Sequence, residues 1–337
     1  METWELLRQI WFILIGILLV GYSILDGFDL GIGTLLPFLG KNEDEKRTLI
    51  RAVGPFWDGN EVWLLTGGGA LFAAFPHAYA TVFSGFYLAM MLVLFSLIFR
   101  AVSLEFRAHD PRRKRFWESA FVVGSALPSL LFGVALGNVI LGVPLNSAMD
   151  FTGSFFTLLR PLPLAFGLLG LAAILMQGAA FAALKTEGEL QARARKMGKI
   201  LLPRYTALFL LAFTLSSVYM PGSLRRPLAW VFTAIFIAAQ FGVFRGQKTG
   251  KDGLVFAMSS GAFAALWGIA GAVHFPNLVR AGNDPALSLT IRNASSSQLT
   301  LTVMLIIALI GMPLVIGYTI YSYKVFRGKI KLDEPGY

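Results

Sequence analysis

The sequence predicts an all-α polytopic membrane protein with nine transmembrane helices, and two observations support this prediction. The chain has 337 residues, of which 56% are hydrophobic and only 14% are charged, and its mean hydropathy is +0.67. Because a soluble domain has about 25% charged residues, this composition cannot cover a water-facing surface. A helical span needs about 20 apolar residues, and nine apolar runs follow one another along the chain.

The apolar runs are separated by short polar segments and cover residues 9–39, 55–75, 79–99, 116–143, 161–184, 205–220, 228–244, 254–275 and 299–323. A faint repeat relates 121–144 to 256–276, since both are apolar, Gly-rich and end in proline. Such a repeat predicts two bundles of four helices, at about 9–143 and 161–275, with the ninth helix peripheral. The basic segment 185–203 is interpreted as a charged linker, with a helix on the lipid surface as the alternative.

The formal net charge of +10 is explained by membrane topology, with no need for a nucleic acid partner. If the N-terminus is outside, only six of the 29 basic residues fall on the outer side: Arg8, Arg160, Arg225, Arg226, Arg280 and Arg292. The inner set includes Arg100 and Arg107 before the fourth run and Lys331 in the tail. This asymmetry predicts an outer N-terminus, an inner C-terminus and an odd number of spans. The leader at residues 1–5 has no positive charge and no small-residue cleavage site follows the first run, so we interpret that run as a span rather than a cleaved leader.

Two pairs of acids lie inside apolar runs. Asp26 and Asp29 are three residues apart in the first run, and Asp58 and Glu61 repeat that spacing in the second. Residues three apart share a helix face, and the predicted topology places both pairs in the inner half of the membrane. A carboxylate at a helix centre costs on the order of 3 kcal/mol, so such acids usually line a bundle interior.

Three interpretations of these acids remain open. Clustered carboxyls can share protons and form a relay, and we favour this for Asp29 and Asp58 more than for Asp26 and Glu61. Alternatively, Asp58 and Glu61 are first-turn acids that favour the helix dipole at the water interface. A metal site is the weakest interpretation, because no histidine accompanies the carboxylates.

The residues around the acids are typical of helix packing. Trp57 and Trp63 flank the second pair and Asn60 lies within it, and we interpret all three as motif or packing residues. Gly27 and Gly31 form a small-xxx-small pattern that permits close helix approach.

Haem ligands are scarce in this sequence. It has no cysteine and three histidines, with His77 in a predicted outer turn, His109 in a predicted inner loop and His274 at a helix end. Because haem in a bundle is usually held by axial side chains from facing helices, we expect this chain to bind no haem and no metal.

The motifs resemble those of subunit II of the cytochrome bd-type ubiquinol oxidases. The segments that carry the resemblance are 25–31 (LDGFDLG), 56–64 (FWDGNEVWL), 69–76 (GALFAAFP), 79–81 (YAT) and 83–87 (FSGFY). The resemblance implies a complex of the bacterial cytoplasmic membrane that oxidises quinol and reduces O2 to water. It also implies that Asp26, Asp29 and Asp58 help to carry cytoplasmic protons, whereas Glu61 occupies a position that is glutamine in some relatives.

The same resemblance implies a partner, subunit I, that holds the b-type and d-type haems. A small single-span accessory subunit, a structural quinone and bound lipid are left open by the sequence. Two other functions also remain open. A secondary transporter would use intramembrane acids, but all four acids lie in one half of this chain. A purely structural assembly subunit would need no titratable proton.

Reporter fusions test the predicted topology. We expect cytoplasmic signals after Leu39, Phe99, Leu184, Phe244 and Tyr323, and external signals after Phe75, Val143, Met220 and Phe275. The physical reason is that basic loops are retained on the cytoplasmic side. Two successive fusions that report the same side would contradict the nine-span arrangement.

Overall fold

The computed structural model describes residues 2–330, so Met1 and the predicted inner residue Lys331 lie outside the described residues. The described residues form eleven α-helices: α1 (Glu2–Leu39), α2 (Glu43–Val53), α3 (Trp57–Ala74), α4 (Pro76–Gly85), α5 (Tyr87–His109), α6 (Lys114–Leu141), α7 (Pro161–Lys185), α8 (Gly188–Tyr219), α9 (Pro227–Thr249), α10 (Asp252–His274) and α11 (Gln298–Val325). Two short antiparallel strands, β1 (Asn277–Val279) and β2 (Leu289–Thr290), lie between α10 and α11. The predicted all-α polytopic fold class is confirmed.

Eight helices in the described part of the chain are long and apolar enough to cross a membrane, namely α1 and α5 to α11. Helix α3 matches the second predicted span in position, but it has only 18 residues and includes Asp58 and Glu61. The total of nine spans therefore stays a prediction. We call the end of the bundle that holds α2 and the turns at 186–187 and 250–251 the inner end, because it is the end predicted to face the cytoplasm.

The prediction of a single helical span over residues 79–99 was wrong, because two helices cover this segment. Helix α4 ends at Gly85, where the Phe151 ring packs closely, and α5 begins at Tyr87 and continues to His109. His77 therefore lies in the first turn of α4 and His109 in the last turn of α5, rather than in loops. Helix α5 continues because its buried face, formed by Ser96, Arg100, Ser103 and Arg107, packs against α6.

The charged linker predicted at 185–203 was also wrong, because α8 begins at Gly188 and is helical throughout that segment. Its buried residues recur at helical spacing and are Leu190, Ala194, Gly198, Leu201 and Tyr205. Two of its basic side chains, Arg193 and Arg195, have partners on other elements. Arg193, for example, donates to the carbonyl of Leu39 at 3.0 Å.

Helix α1 is the central element of the bundle and packs against α3, α6, α7 and α10. Its closest neighbour is α7, where a methyl group added to Gly31 would lie 2.7 Å from the Cα of Gly178. The predicted role of Gly31 in close helix approach fits this geometry, whereas the nearest atom to a methyl group on Gly27 is 3.7 Å away. Since α1 contacts helices from both halves, the division into bundles at 9–143 and 161–275 stays a prediction.

The segments 142–160 and 275–297 lie at the outer end of the bundle, and no pattern in the sequence indicates their β pairing. Strand β1 pairs with β2, and Val143 forms a bridge with Ala281. Below these loops, the indole of the buried Trp11 donates to the carbonyl of Leu301 at 3.0 Å. The start of α1 is therefore tied to the start of α11.

At the inner end, α2 is held by ion pairs to α5 and α6. Arg107 bridges Glu43 at 3.1 Å and Glu118 at 2.7 Å, and Lys46 contacts Glu118 at 2.7 Å. Burial tends to raise the pKa of Glu43, but the hydrogen bond from Lys114 and the charge of Arg107 outweigh it and hold that pKa below its usual value. This network fixes the end of α5 and thereby the direction of its buried face.

The Gly31 contact can be tested by comparing two alanine variants of α1. Gly31→Ala should destabilise the protein by about 1 to 3 kcal/mol, because the added methyl group overpacks the contact with α7. Gly16→Ala is the matched control, because no atom lies within 4 Å of the position that its added methyl group would take. The measurement is the thermal midpoint of the detergent-solubilised protein. Equal midpoints for the two variants would contradict the packing assignment.

Candidate functional site

The site is built around a buried arginine on α5. Arg100 is 1% exposed and forms a bidentate ion pair with the fully buried Asp26 of α1, at 3.0 Å (Nη1 to Oδ2) and 2.7 Å (Nη2 to Oδ1). The same Nη2 donates to Oε1 of Glu61 on α3 at 2.9 Å. One guanidinium therefore joins two carboxylates from two other helices.

Arg100 was not predicted as a site residue. Because it lies near the end of an apolar run, it was assigned to an inner segment. A signal was available, since Ser96, Arg100, Ser103 and Arg107 recur every three or four residues. Polar residues at that spacing mark one face of a helix. In an otherwise apolar run, such a face is typical of a bundle interior.

Asp29 lies one turn beyond Asp26 on α1 and has a different environment. It is 1% exposed, and its Oδ2 accepts a hydrogen bond of 2.7 Å from Nδ2 of Asn60. The same amide also donates to the carbonyl of Leu25 at 3.1 Å. The Oδ1 atom of Asp29 is buried and has no hydrogen-bond partner among residues 2–330. Asp29 is therefore held by one oxygen, whereas Asp26 is held by both.

Tyr323 of α11 completes the arrangement, because its hydroxyl donates to Oδ1 of Asn60 at 3.4 Å. Its ring stacks on Phe56 with a centroid separation of 4.4 Å. Phe28 and Phe181, stacked at 3.9 Å, pack beside this pair. Tyr323 was also missed as a site residue, since nothing local distinguishes it from an interfacial tyrosine.

A groove of about 340 Å³ opens beside Tyr323, between Leu25 of α1 and the inner end of α11. Its lining consists of Leu25, Thr319, Ile320, Tyr323, Lys324 and Arg327. Leu25 is also the residue whose carbonyl accepts from Asn60. The groove therefore reaches two residues that contact Asn60, the hydrogen-bonding partner of Asp29.

The structure does not bring all four predicted acids into one cluster. Asp26 and Glu61 contact Arg100 and Asp29 contacts Asn60, but Asp58 is exposed and has no hydrogen bond or ion pair within the described part of the chain. Trp57 and Trp63 are half-buried, and the Trp63 ring packs against Gly21 of α1. The buried Asn60, predicted as a packing residue, is the hydrogen-bonding partner of Asp29.

The histidines and acids do not form a metal centre within residues 2–330, where no group of three or more potential ligands converges. His274 is 7% exposed at the end of α10, and its Nε2 lies 3.0 Å from the carbonyl of Leu278. It therefore closes the outer end of its helix.

The fold and site define an integral membrane protein with charged residues paired inside its bundle. The family model for cytochrome bd terminal oxidase subunit II matches residues 7–326, and this chain belongs to that family. It is 34% identical over 374 aligned residues to cytochrome bd-I ubiquinol oxidase subunit 2 of Escherichia coli K12, covering 99% of this chain and 98% of that protein. It is 39% identical over 338 residues to cytochrome bd ubiquinol oxidase subunit 2 of Bacillus subtilis 168, covering 98% of each.

The fold is also similar to a chain in the solved bd oxidase structure from Geobacillus thermodenitrificans. The TM-score is 0.79 at 17% identity, and the match covers 95% of this chain and 98% of that chain. At that identity the likeness concerns the fold alone. The family assignment makes this chain a subunit of an oxidoreductase complex, the quinol oxidase class named by its relatives.

The Arg100 ion pair predicts that a substitution of Arg100 lowers the stability of the protein and that a second substitution restores part of it. Arg100→Gln should destabilise the protein by about 3 to 5 kcal/mol, because it leaves two carboxylates without their cation. Adding Asp26→Asn to that variant should recover part of the loss, since the fully buried carboxylate is then neutral. The measurement is the thermal midpoint of the solubilised protein, with the exposed Lys41→Gln as control. A double variant less stable than Arg100→Gln would contradict the pairing.

Proposed function

We propose that this chain is the haem-free subunit II of a bacterial quinol oxidase and that it carries protons from the cytoplasm toward a haem-bearing subunit I, where O2 is reduced to water. The observation that supports this proposal best is the hydrogen-bonded series Asp29, Asn60 and Tyr323 beside the Arg100 ion pair. It places a singly held carboxyl group deep in the bundle, next to a groove at the inner end.

Asp29 is the proposed proton carrier. A group that transfers protons must exchange hydrogen-bond partners, and within residues 2–330 only one oxygen of Asp29 has a partner. Asn60 holds the other oxygen and itself cannot titrate, so its role is to orient the carboxyl group. Tyr323 fixes the amide of Asn60 through Oδ1.

Asp26 has the proposed role of a fixed counter-charge. Both of its oxygens are engaged by Arg100, so a proton exchange there would break the bidentate pair. This interpretation differs from the relay role that the family resemblance implied for Asp26.

Asp58 and Glu61 are the proposed entry to the route. Asp58 is exposed, and Glu61, one turn later on α3, has a side chain that is 23% exposed. Glu61 therefore links the surface of the chain to the buried guanidinium.

The remaining parts of the proposal follow the family. The chain lies in the cytoplasmic membrane with its N-terminus outside and C-terminus inside, as the distribution of basic residues supports. The b-type and d-type haems belong to subunit I, which contacts this chain within the membrane. A structural quinone, a single-span accessory subunit and bound lipid are compatible with this arrangement, and quinol and O2 are substrates of the complex.

A purely structural role is the second candidate, and the Arg100 ion pair favours it. A guanidinium that joins α1, α3 and α5 would hold the bundle together whether or not any acid titrates. We do not propose the transporter function, because the match to the oxidase family covers residues 7–326.

Asparagine variants separate the two candidates. Asp29→Asn should leave assembly and haem content of the complex intact but slow O2 reduction per complex by on the order of 10- to 100-fold, because the amide has no proton to transfer. Asp58→Asn should slow it less, since entry sites near a surface are more easily bypassed, and Glu61→Gln should be the mildest. The measurements are O2 consumption and charge movement across proteoliposomes.

Asp26→Asn is the matched control for these variants, because it removes a carboxylate one turn away on the same helix. We expect less assembled complex but an unchanged rate for each complex that forms. Wild-type turnover by Asp29→Asn across the pH range would contradict the proton-carrying role and leave the structural role.

A further inference from the structure

A second cavity lies at the inner end, on the side of the bundle away from Asp29. It has a volume of about 240 Å³ and is enclosed by the ends of α7 and α9 and the beginnings of α8 and α10. Its polar rim consists of Arg195, Lys199, Gln247, Lys248 and Asp252. We call it the basic cavity. The proton route described above uses none of these residues.

The single acid of the rim is already neutralised. Arg195 forms two hydrogen bonds with Asp252, at 2.9 Å and 2.7 Å, and Gln191 donates to the same carboxylate at 3.1 Å. The positive charge of the two rim lysines is therefore not compensated from within the cavity.

Three donors at the rim lack acceptors. Lys199 and Lys248 are exposed and have no carboxylate partner among residues 2–330, although the ammonium of Lys248 lies 4.4 Å from the Phe244 ring centroid. Nε2 of Gln247 is buried and also has no partner within those residues. Two cations and an amide donor around one cavity suit a group with several anionic oxygens, such as a phosphate.

The floor of the cavity is apolar and is formed by Met176, Ala179, Ala180, Ala183 and Val255. A free phosphate ion would lose hydration against this floor without gaining hydrogen bonds. A phospholipid headgroup instead presents oxygens on one side and glycerol and acyl carbons on the other. Basic cavities between helix ends on the cytoplasmic side are typical binding sites for anionic headgroups.

We propose that the basic cavity binds the phosphate of an anionic phospholipid from the inner leaflet, with Lys199, Lys248 and Gln247 as donors and the lipid carbons on the alanine floor. The site would hold one lipid between the beginning of α8 and the end of α9, both of which contribute residues to its lining. A lipid at this position would stabilise the packing of these two helices.

Native mass spectrometry of the purified oxidase complex, titrated with phosphatidylglycerol in a neutral detergent, tests this proposal. In the variant K199Q/K248Q the most tightly bound phosphatidylglycerol should bind about 30-fold more weakly, which corresponds to about 1 kcal/mol for each of two basic residues. The matched control is K196Q/K251Q, which removes the same charge from the neighbouring residues outside the cavity. It should change the affinity by less than about threefold.

Two further titrations identify the ligand. Phosphatidylcholine should bind wild-type complex at least about tenfold more weakly than phosphatidylglycerol, and inorganic phosphate at millimolar concentration should not displace the lipid. Equal loss of affinity in both lysine variants would overturn the site, as would equal binding of the two lipids. Displacement by inorganic phosphate would overturn the assignment to a lipid.

Discussion

The positive charge of Arg100 inside an apolar bundle is the constraint on which the rest of the site depends. A buried guanidinium must be compensated by nearby carboxylates, and the compensation comes from Asp26 on α1 and Glu61 on α3. Because these partners lie on different helices, the ion pair also fixes how α1, α3 and α5 face one another. Asp29 is then placed one helical turn further along α1, where Asn60 holds it and no cation among residues 2–330 pairs with it.

The second half of the chain supports this arrangement through packing rather than charge. The close contact of Gly31 with Gly178 brings α7 against α1 at the level of the site. Phe28 stacks on Phe181, and Phe56 stacks on Tyr323. These contacts hold α11 beside Asn60. These contacts give the carboxyl group of Asp29 a fixed orientation, with one oxygen that has no partner among residues 2–330. Such a group suits proton transfer better than a carboxyl group with both oxygens hydrogen-bonded.

Much of the fold could be predicted from the sequence, because apolar runs and basic loops report directly on membrane helices. The acid pairs are conspicuous in the sequence, since a carboxylate in an apolar run is costly, but the structure buries only Asp26 and Asp29 of the four. Arg100 was not identified, because a basic residue near the end of an apolar run is equally consistent with a loop. Only the heptad spacing of Ser96, Arg100, Ser103 and Arg107 distinguishes the two cases.

The roles of individual acids could not be predicted, because identical i, i+3 spacing places Asp26 and Asp29 in different environments. Their difference arises from the long-range partners Arg100 and Asn60, which no local pattern links to them. Tyr323 is an extreme case, since it is 263 residues away from Asn60 in the chain. The helical segment at 188–203 was missed for a related reason, because its buried face is small and its charges dominate the composition.

Infrared difference spectroscopy of the assembled complex during redox cycling tests most directly whether Asp29 is the group that exchanges protons. We expect a carboxyl C=O band that changes between the oxidised and reduced states, that is lost in Asp29→Asn and that persists in Asp26→Asn. A band that survives in Asp29→Asn but is lost in Asp26→Asn would contradict the assignment of Asp29 as carrier and Asp26 as fixed counter-charge.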